Sequence, residues 1–401
     1  MNKIKFFHIA DLHLGSYRED KLQSLNFETF VKLIDNAIHE NIDFLLIAGD
    51  VFNSPLPKID LVDDFIKQIN RLRKQNIKIY VIGGSHDYSL LGKSFINIFN
   101  TSGIIKDVCR YNVMKDEKIE LIKTSNQDLK INIYGILGRR NQLEENIFKN
   151  IMPLSLNKDY FNIFMFHTTI EELVKDDKYN FKKNFLSILP KGFNYYAGGH
   201  IHKNIIVNEQ DFVISYSGAL FPNNFTELKT LKPSYNCCEY DFNDKKLIVK
   251  HKEINTYDTM HILVEINNNT PIEAKNILID SIPIKEVAGK IILLEIKGVV
   301  DGKISDIDIN NVVEKIYIHN ALIVLKNTSN LKSSLSQDID KENICIDNSK
   351  IEQDMVNKYI NDYDELKIVE NLLQLNLEQL EEETKKQYNQ RVLEMIKKVF
   401  Q

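Results

Sequence analysis

Cysteine is scarce in this chain: its 401 residues hold four, Cys109, Cys237, Cys238 and Cys345. Two are adjacent and none forms a CxxC pair, which excludes a thiolate zinc site and a disulfide framework and fits a reduced, intracellular protein. Long apolar runs are also missing; none approaches the ~20 residues that a membrane span needs. The opening stretch MNKIKFFHIADLHLG has two lysines and a short apolar run, but Asp11 and His13 interrupt it too early for a signal peptide. Positive charge is not in excess. The formal net charge is −5, so no global field draws in nucleic acid, although local patches can still meet phosphates. There is no internal repeat. The stretch 351–401 contains neither glycine nor proline.

What is present is ordinary in amount and informative in order. Apolar residues make up 43% and charged residues 27%, enough for a large core in a soluble protein of two or three domains. Up to residue 240, short apolar runs alternate with amphipathic segments. Strands are predicted at 4–10, 43–49, 77–83, 131–136, 161–166, 194–197 and 212–216. Helical spacing runs through Phe27, Phe30, Leu33, Ile34, Ala37 and Ile38 (26–40) and again over 60–75. Strands alternating with helices predict a layered α/β domain over 1–240. After the turn signal NDKK (243–246), residues 241–327 read as a small second α/β unit, strand-helix-strand-helix-strand. Residues 328–350 are rich in Ser, Asn, Asp and Lys and read as a linker. Residues 351–401 read as helical, with eleven Asp/Glu against seven Lys/Arg, a net of −4.

Five patches fall just after predicted strands: Asp11-Leu-His13, Gly49-Asp50, Gly84-Ser85-His86-Asp87, His167, and Gly199-His200-Ile-His202. Ligands of α/β proteins sit beyond the carboxyl ends of strands, and glycine lets the backbone turn there. Taken singly, each patch has a plain reading: a surface pair, a turn, a packed histidine. Their order and shared position argue for one site. Mixed carboxylate and imidazole groups suit Mn²⁺, Fe²⁺ or Zn²⁺. An aspartate can bridge two ions, and two ions ~3.5–4 Å apart can clamp an in-line displacement at phosphorus. His86, oriented by Asp87, could protonate the leaving oxygen.

In this order the patches resemble the signature of calcineurin-like metallophosphoesterases. Within that group FFHIADLHLGS, LLIAGDVFNS and GGHIHK resemble the DNA double-strand-break repair nucleases of the SbcD and Mre-eleven type, and YSGALFPNNFTE (216–227) resembles the segment leaving their catalytic domain. The motif match covers residues 4–227; the capping unit and the tail match in arrangement only. The resemblance implies a core of two packed sheets flanked by helices, a capping domain and a helical tail. It implies a first metal held by Asp11, His13 and His202, a second by His167 and His200, Asp50 bridging them, and His86 as proton donor with Asp87 behind it. It further implies two Mn²⁺ ions, 3′-to-5′ exonuclease and single-strand endonuclease activity at DNA ends, and a homodimer formed through helices of the 26–75 region. By the same resemblance, the helices at 368–380 and 388–400 grip the coiled coil of an SMC-like ATPase of the SbcC and Rad-fifty type. The location would be cytoplasmic, at the nucleoid in a prokaryote. Arg139 and Arg140 (GRRNQ, 138–142) and Lys203 are candidate phosphate contacts, against the plain reading of solvated charges. Lys93, Lys229 and Lys232 are further scattered cations.

Two positions depart from the family pattern. Ser85 stands where the family has a metal-binding Asn, and Asn53 where its nucleases tend to have His. A serine hydroxyl is a shorter, poorer ligand, so the second metal is expected to be weakly held unless the change is benign. Two other readings stay open: a phosphoesterase for small nucleotides or phosphoproteins, and a DNA-end scaffold with a weakened site.

Overall fold

The computed structural model describes residues 2–89, 94–138, 144–170, 173, 185–336 and 391. Two six-stranded sheets face each other. In the first, Lys3–Ile9, Phe44–Ala48 and Lys78–Ile82 run parallel, with the short Lys106–Asp107 beyond them. Ser234–Asp241 and Lys246–Glu253 close its other side in antiparallel register. The second sheet is ordered Ile205–Asn208, Val213–Tyr216, Tyr195–Gly199, Phe161–His167, Ile131–Gly135 and Thr124–Asn126.

The alternation of side chains along the strands explains the layers. On the first strand Ile4 and Phe6 face the second sheet; Phe6 stacks on Phe44 of the neighbouring strand (centroids 4.6 Å apart) and meets Phe161 and Tyr195 across the interface. Phe7 and Ile9 face outward, under helices Asp20–His39 and Ile59–Lys74, with Phe30, Leu33, Phe65 and Leu72. Both faces are buried, which is why the strand reads as a continuous apolar run. Phe164, Phe166, Phe193 and Tyr196 fill the outer side of the second sheet.

The sequence boundary at 240 falls inside a hairpin. NDKK turns the chain back, and Lys246–Glu253 pairs residue by residue with Ser234–Asp241. Leu247 and Val249 reach the inter-sheet core, so the first unit extends to 253. The first helix also begins earlier than its periodicity showed, at Asp20 rather than 26. Its opening residues Leu22 and Leu25 pack on the capping unit, not on the sheet below.

The capping unit is a parallel three-stranded sheet, Thr259–Asn269, Ile291–Val300 and Ile323–Ser333. Helices Pro271–Asp280 and Ile309–Ile318 pack through Ala274, Leu278, Val312 and Ile316 into a core of its own. The first of these helices starts at a capping box between Thr270 and Glu273, with Pro271 next in line. On the other side, Ile291, Leu293 and Ile323 meet Leu22, Leu25, Phe221 and Leu228 of the first unit. The last strand continues to Ser333, into the expected linker, because Leu331 pairs with Gly298 and is buried. The rest of that linker from 337, and the tail apart from Arg391, lie outside the described residues. Among the described residues no helix is long and apolar enough to cross a membrane.

Candidate metal centre

The site forms where the carboxyl ends of both sheets meet. Asp11 and His13 leave the first strand, and their backbone amides bond the carbonyls of Gly49 and Asp50, each at 3.0 Å. Asp11, His13, Asp50 and His200 all take positive φ, at 52°, 42°, 52° and 85°. Such conformations cost on the order of 1–3 kcal/mol each and persist only where the surroundings enforce them. Their effect is to turn side chains off the strand axes and toward one point.

Two glycines make room for that convergence. A Cβ on Gly49 would fall on the His167 ring, and one on Gly199 would fall on the Ala48 carbonyl and 2.7 Å from His167 Nδ1. Gly49 also needs its φ of +96°.

Five side chains then crowd together. His13 Nε2 lies 3.3 Å from His202 Nε2, 3.8 Å from Asp50 Oδ2 and 4.0 Å from Asp11 Oδ1. His202 Nε2 is 3.8 Å from Asp11 Oδ1. His167 Nε2 is 3.2 Å from Asp50 Oδ2 and 3.9 Å from Asp11 Oδ1. Asp11, His13 and His202 form one tight group, Asp11, Asp50 and His167 a second, and His13, Asp50 and His86 a third. Asp11, Asp50, His13 and His167 are buried.

Oxygens outside the cluster fix the imidazoles. His167 donates Nδ1–H to the Ala48 carbonyl at 2.8 Å, and His202 donates Nδ1–H to Glu227 Oε2 at 2.9 Å. Both rings therefore present the Nε2 lone pair inward, as metal-binding histidines do. Lone pairs and carboxylate oxygens facing one another without a donor repel unless a positive charge lies between them. The titration behaviour without metal expresses the same demand. Burial opposes a charge on His167, yet the carboxylates of Asp50 and Asp11 raise it to about 10. Burial pushes Asp11 up to about 6 against the pull of His167 and His202. For Asp50 burial is outweighed by His167, His13 and the His86 amide, and the group sits well below the usual carboxylate range. Burial lowers His13 to about 3. The donor set fits divalent cations of the Mn²⁺, Fe²⁺ or Zn²⁺ kind.

The remaining expected site residues are placed as follows. His200 gives its backbone N–H to both Asp11 oxygens (3.2 and 3.0 Å) and sets its ring 5.3 Å from that of His167, but it belongs to none of the three tight groups. The His86 ring stands edge-on to His13 at 4.9 Å, its Nδ1 held by the Asn53 carbonyl at 3.0 Å and its backbone N–H by Asp50 Oδ1 at 2.8 Å. The expectation that Asp87 orients the His86 ring is corrected. The buried Asp87 carboxylate accepts the amides of Val51, Phe52 and Gly84 instead, tying the 49–53 and 83–87 loops together. Ser85 is half-buried in that second loop, and Lys203 is exposed beside His202. Arg139, Arg140 and Lys93 lie outside the described residues. Glu227 was missed as a functional residue. Its signal was the Asn-x-x-Glu cap of a helix start: Asn224 Oδ1 accepts the Glu227 amide at 2.9 Å.

Residues 4–204 match the family described as calcineurin-like phosphoesterase. The chain is similar to the DNA double-strand break repair protein Mre11 of Archaeoglobus fulgidus, 28% identical over 54% of this chain and 50% of that one. It is similar to the protein of the same name from Methanococcus maripaludis (28%, over 57% and 60%) and from Methanocaldococcus jannaschii (26%, over 80% and 82%). The matched stretch spans 50% and 60% of the length of the first two of these relatives.

Proposed function

We propose that this chain, which belongs to the calcineurin-like phosphoesterase family, is a two-metal phosphodiesterase that processes DNA ends in double-strand-break repair. The observation that carries the reading is the inward convergence of Asp11, Asp50, His13, His167 and His202, with the Nδ1 donors of His167 and His202 bound outside it. The substrate class is supported by the relatives, which are named as DNA repair proteins. Asp11, His13 and His202 would hold one ion, His167 and His200 the other, and Asp50 both, with Ser85 in place of the family's Asn. Bound Mn²⁺ would supply a water of lowered pKa and neutralise charge on the phosphoryl oxygens.

The chain's own groups do the rest. The Asn53 carbonyl fixes Nδ1 of His86, leaving Nε2 to deliver a proton to the leaving oxygen. Asp87 holds the loops that carry Asp50 and His86 in mutual register. Lys203, Arg139 and Arg140 contact backbone phosphates, a salt-sensitive and sequence-independent grip. The finer activity is 3′-to-5′ exonuclease on duplex ends and endonuclease on single strands. The protein acts as a homodimer, with an SMC-like ATPase bound through residues 351–401, in the cytoplasm.

The test is incubation with Mn²⁺ and labelled duplex or single-stranded DNA, beside bis-p-nitrophenyl phosphate. DNA cleavage that disappears in His86→Gln and Asp50→Ala supports the proposal. Hydrolysis of the ester alone points to a small-substrate enzyme. DNA binding without any hydrolysis points to a scaffold, the outcome that Ser85 and Asn53 would explain.

A further inference from the structure

We propose that the short helix Phe225–Thr230 is a strut by which the capping unit sets the orientation of His202, with Glu227 as the positioning residue. The proposal rests on the two-metal reading above. Glu227 Oε2 accepts both His202 Nδ1–H (2.9 Å) and the Asn223 amide (2.8 Å), while Oε1 accepts the Asn224 side-chain amide at 2.6 Å. The carboxylate is thereby locked to the start of its own helix, and the His202 ring is locked to the carboxylate.

The same helix is locked to the capping unit by its next two residues. Leu228 is 1% exposed and packs among Leu22, Leu25, Phe221, Ile291, Leu293 and Ile323, three of which belong to the capping sheet. Lys229 Nζ bonds Glu295 Oε2 at 2.8 Å, an oxygen that His261 Nε2 also reaches at 2.7 Å. The ion pair is near the surface and adds little by itself; the buried leucine supplies the stiffness. Neighbouring residues of a helix are separated by only ~1.5 Å of rise. A displacement of the capping sheet that moves Leu228 therefore moves Glu227 with it, and with Glu227 the His202 imidazole, which meets both His13 and Asp11. The capping unit touches the metal centre through this connection although it contributes no ligand.

The test is a Mn²⁺ titration of the full chain followed by electron paramagnetic resonance of the free ion, with circular dichroism to confirm folding. Wild type is expected to take up two ions. Glu227→Ala should weaken one of them 10–100-fold, the usual effect of losing a partner behind a ligand, and Glu227→Gln, which keeps an oxygen acceptor, should recover most of that loss. Leu293→Ala, on the capping strand and in contact with no ligand, should weaken the same ion several-fold. The double variant Lys229→Ala/Glu295→Ala, at the surface, should do so to a smaller extent and serves if Leu293→Ala does not fold. Folded variants at Glu227 or in the capping unit that bind both ions like wild type would overturn the strut alone. Wild type that takes up no Mn²⁺ would overturn the two-metal reading and the strut with it.

Discussion

Replacing Asp87 by alanine separates two roles for this residue. Its carboxylate accepts three buried backbone amides, from Gly84 at 2.9 Å, Phe52 at 3.2 Å and Val51 at 3.3 Å. A buried donor left without a partner costs ~1–3 kcal/mol. Taking ~2 for the short bond and ~1 for each long one gives roughly 4 kcal/mol. Against this, burial and the neighbouring Asp50 push the Asp87 carboxyl up to about 7, so its removal also relieves an unfavourable charge. A net loss smaller than that sum is expected, in a domain whose whole stability is typically ~5–15 kcal/mol. Urea unfolding should show the midpoint falling with an unchanged slope. Hydrogen exchange should accelerate at the amides of residues 51, 52 and 84. An unchanged midpoint, with a shifted pH profile of hydrolysis, would refute the reasoning and return Asp87 to a direct role behind His86.

Gly199→Ala should abolish tight Mn²⁺ uptake while the protein stays folded, because the new Cβ would collide with the Ala48 carbonyl and the His167 ring; calorimetry of Mn²⁺ binding checks it. Ser85→Asn should raise hydrolysis at low Mn²⁺, read as a leftward shift of the metal titration. His8 is fully buried against the Tyr195 hydroxyl at 2.7 Å, and burial lowers it to about 3. A depressed folded value means that the unfolded chain binds the proton first, so this contribution is intact above pH ~6.5 and is lost as pH falls toward the folded value. The stability difference between wild type and His8→Gln should then shrink by ~1.4 kcal/mol per unit of acidification in that window; denaturant melts at pH 7 and pH 5 measure it.

Much of the core, and most of the residues that converge on the candidate metal centre, could be read from residue order. Strands buried on both faces announce themselves as unbroken apolar runs, and Phe6, Phe44 and Phe161 fell where such runs predicted them. The candidate site residues stood out because each patch follows a predicted strand and three of the five patches hold a glycine, Gly49, Gly84 and Gly199. What escaped depends on partners far off in sequence. The start of the first helix at Asp20 is decided by Leu22 and Leu25 meeting the capping sheet. The 240 boundary failed because a polar turn inside a hairpin looks like a turn between domains. Asp87 was misread because three backbone amides, invisible in a sequence, hold it more firmly than the adjacent ring could. Glu227 was overlooked because a helix-capping glutamate looks the same whether or not a histidine leans on it.

Anomalous scattering from crystals soaked in Mn²⁺ tests the central claim most directly. Two peaks ~3.5–4 Å apart, one beside Asp11, His13 and His202, the other beside His167, with Asp50 between them, are the expected result. A lone peak, or a cleft without manganese, would contradict it.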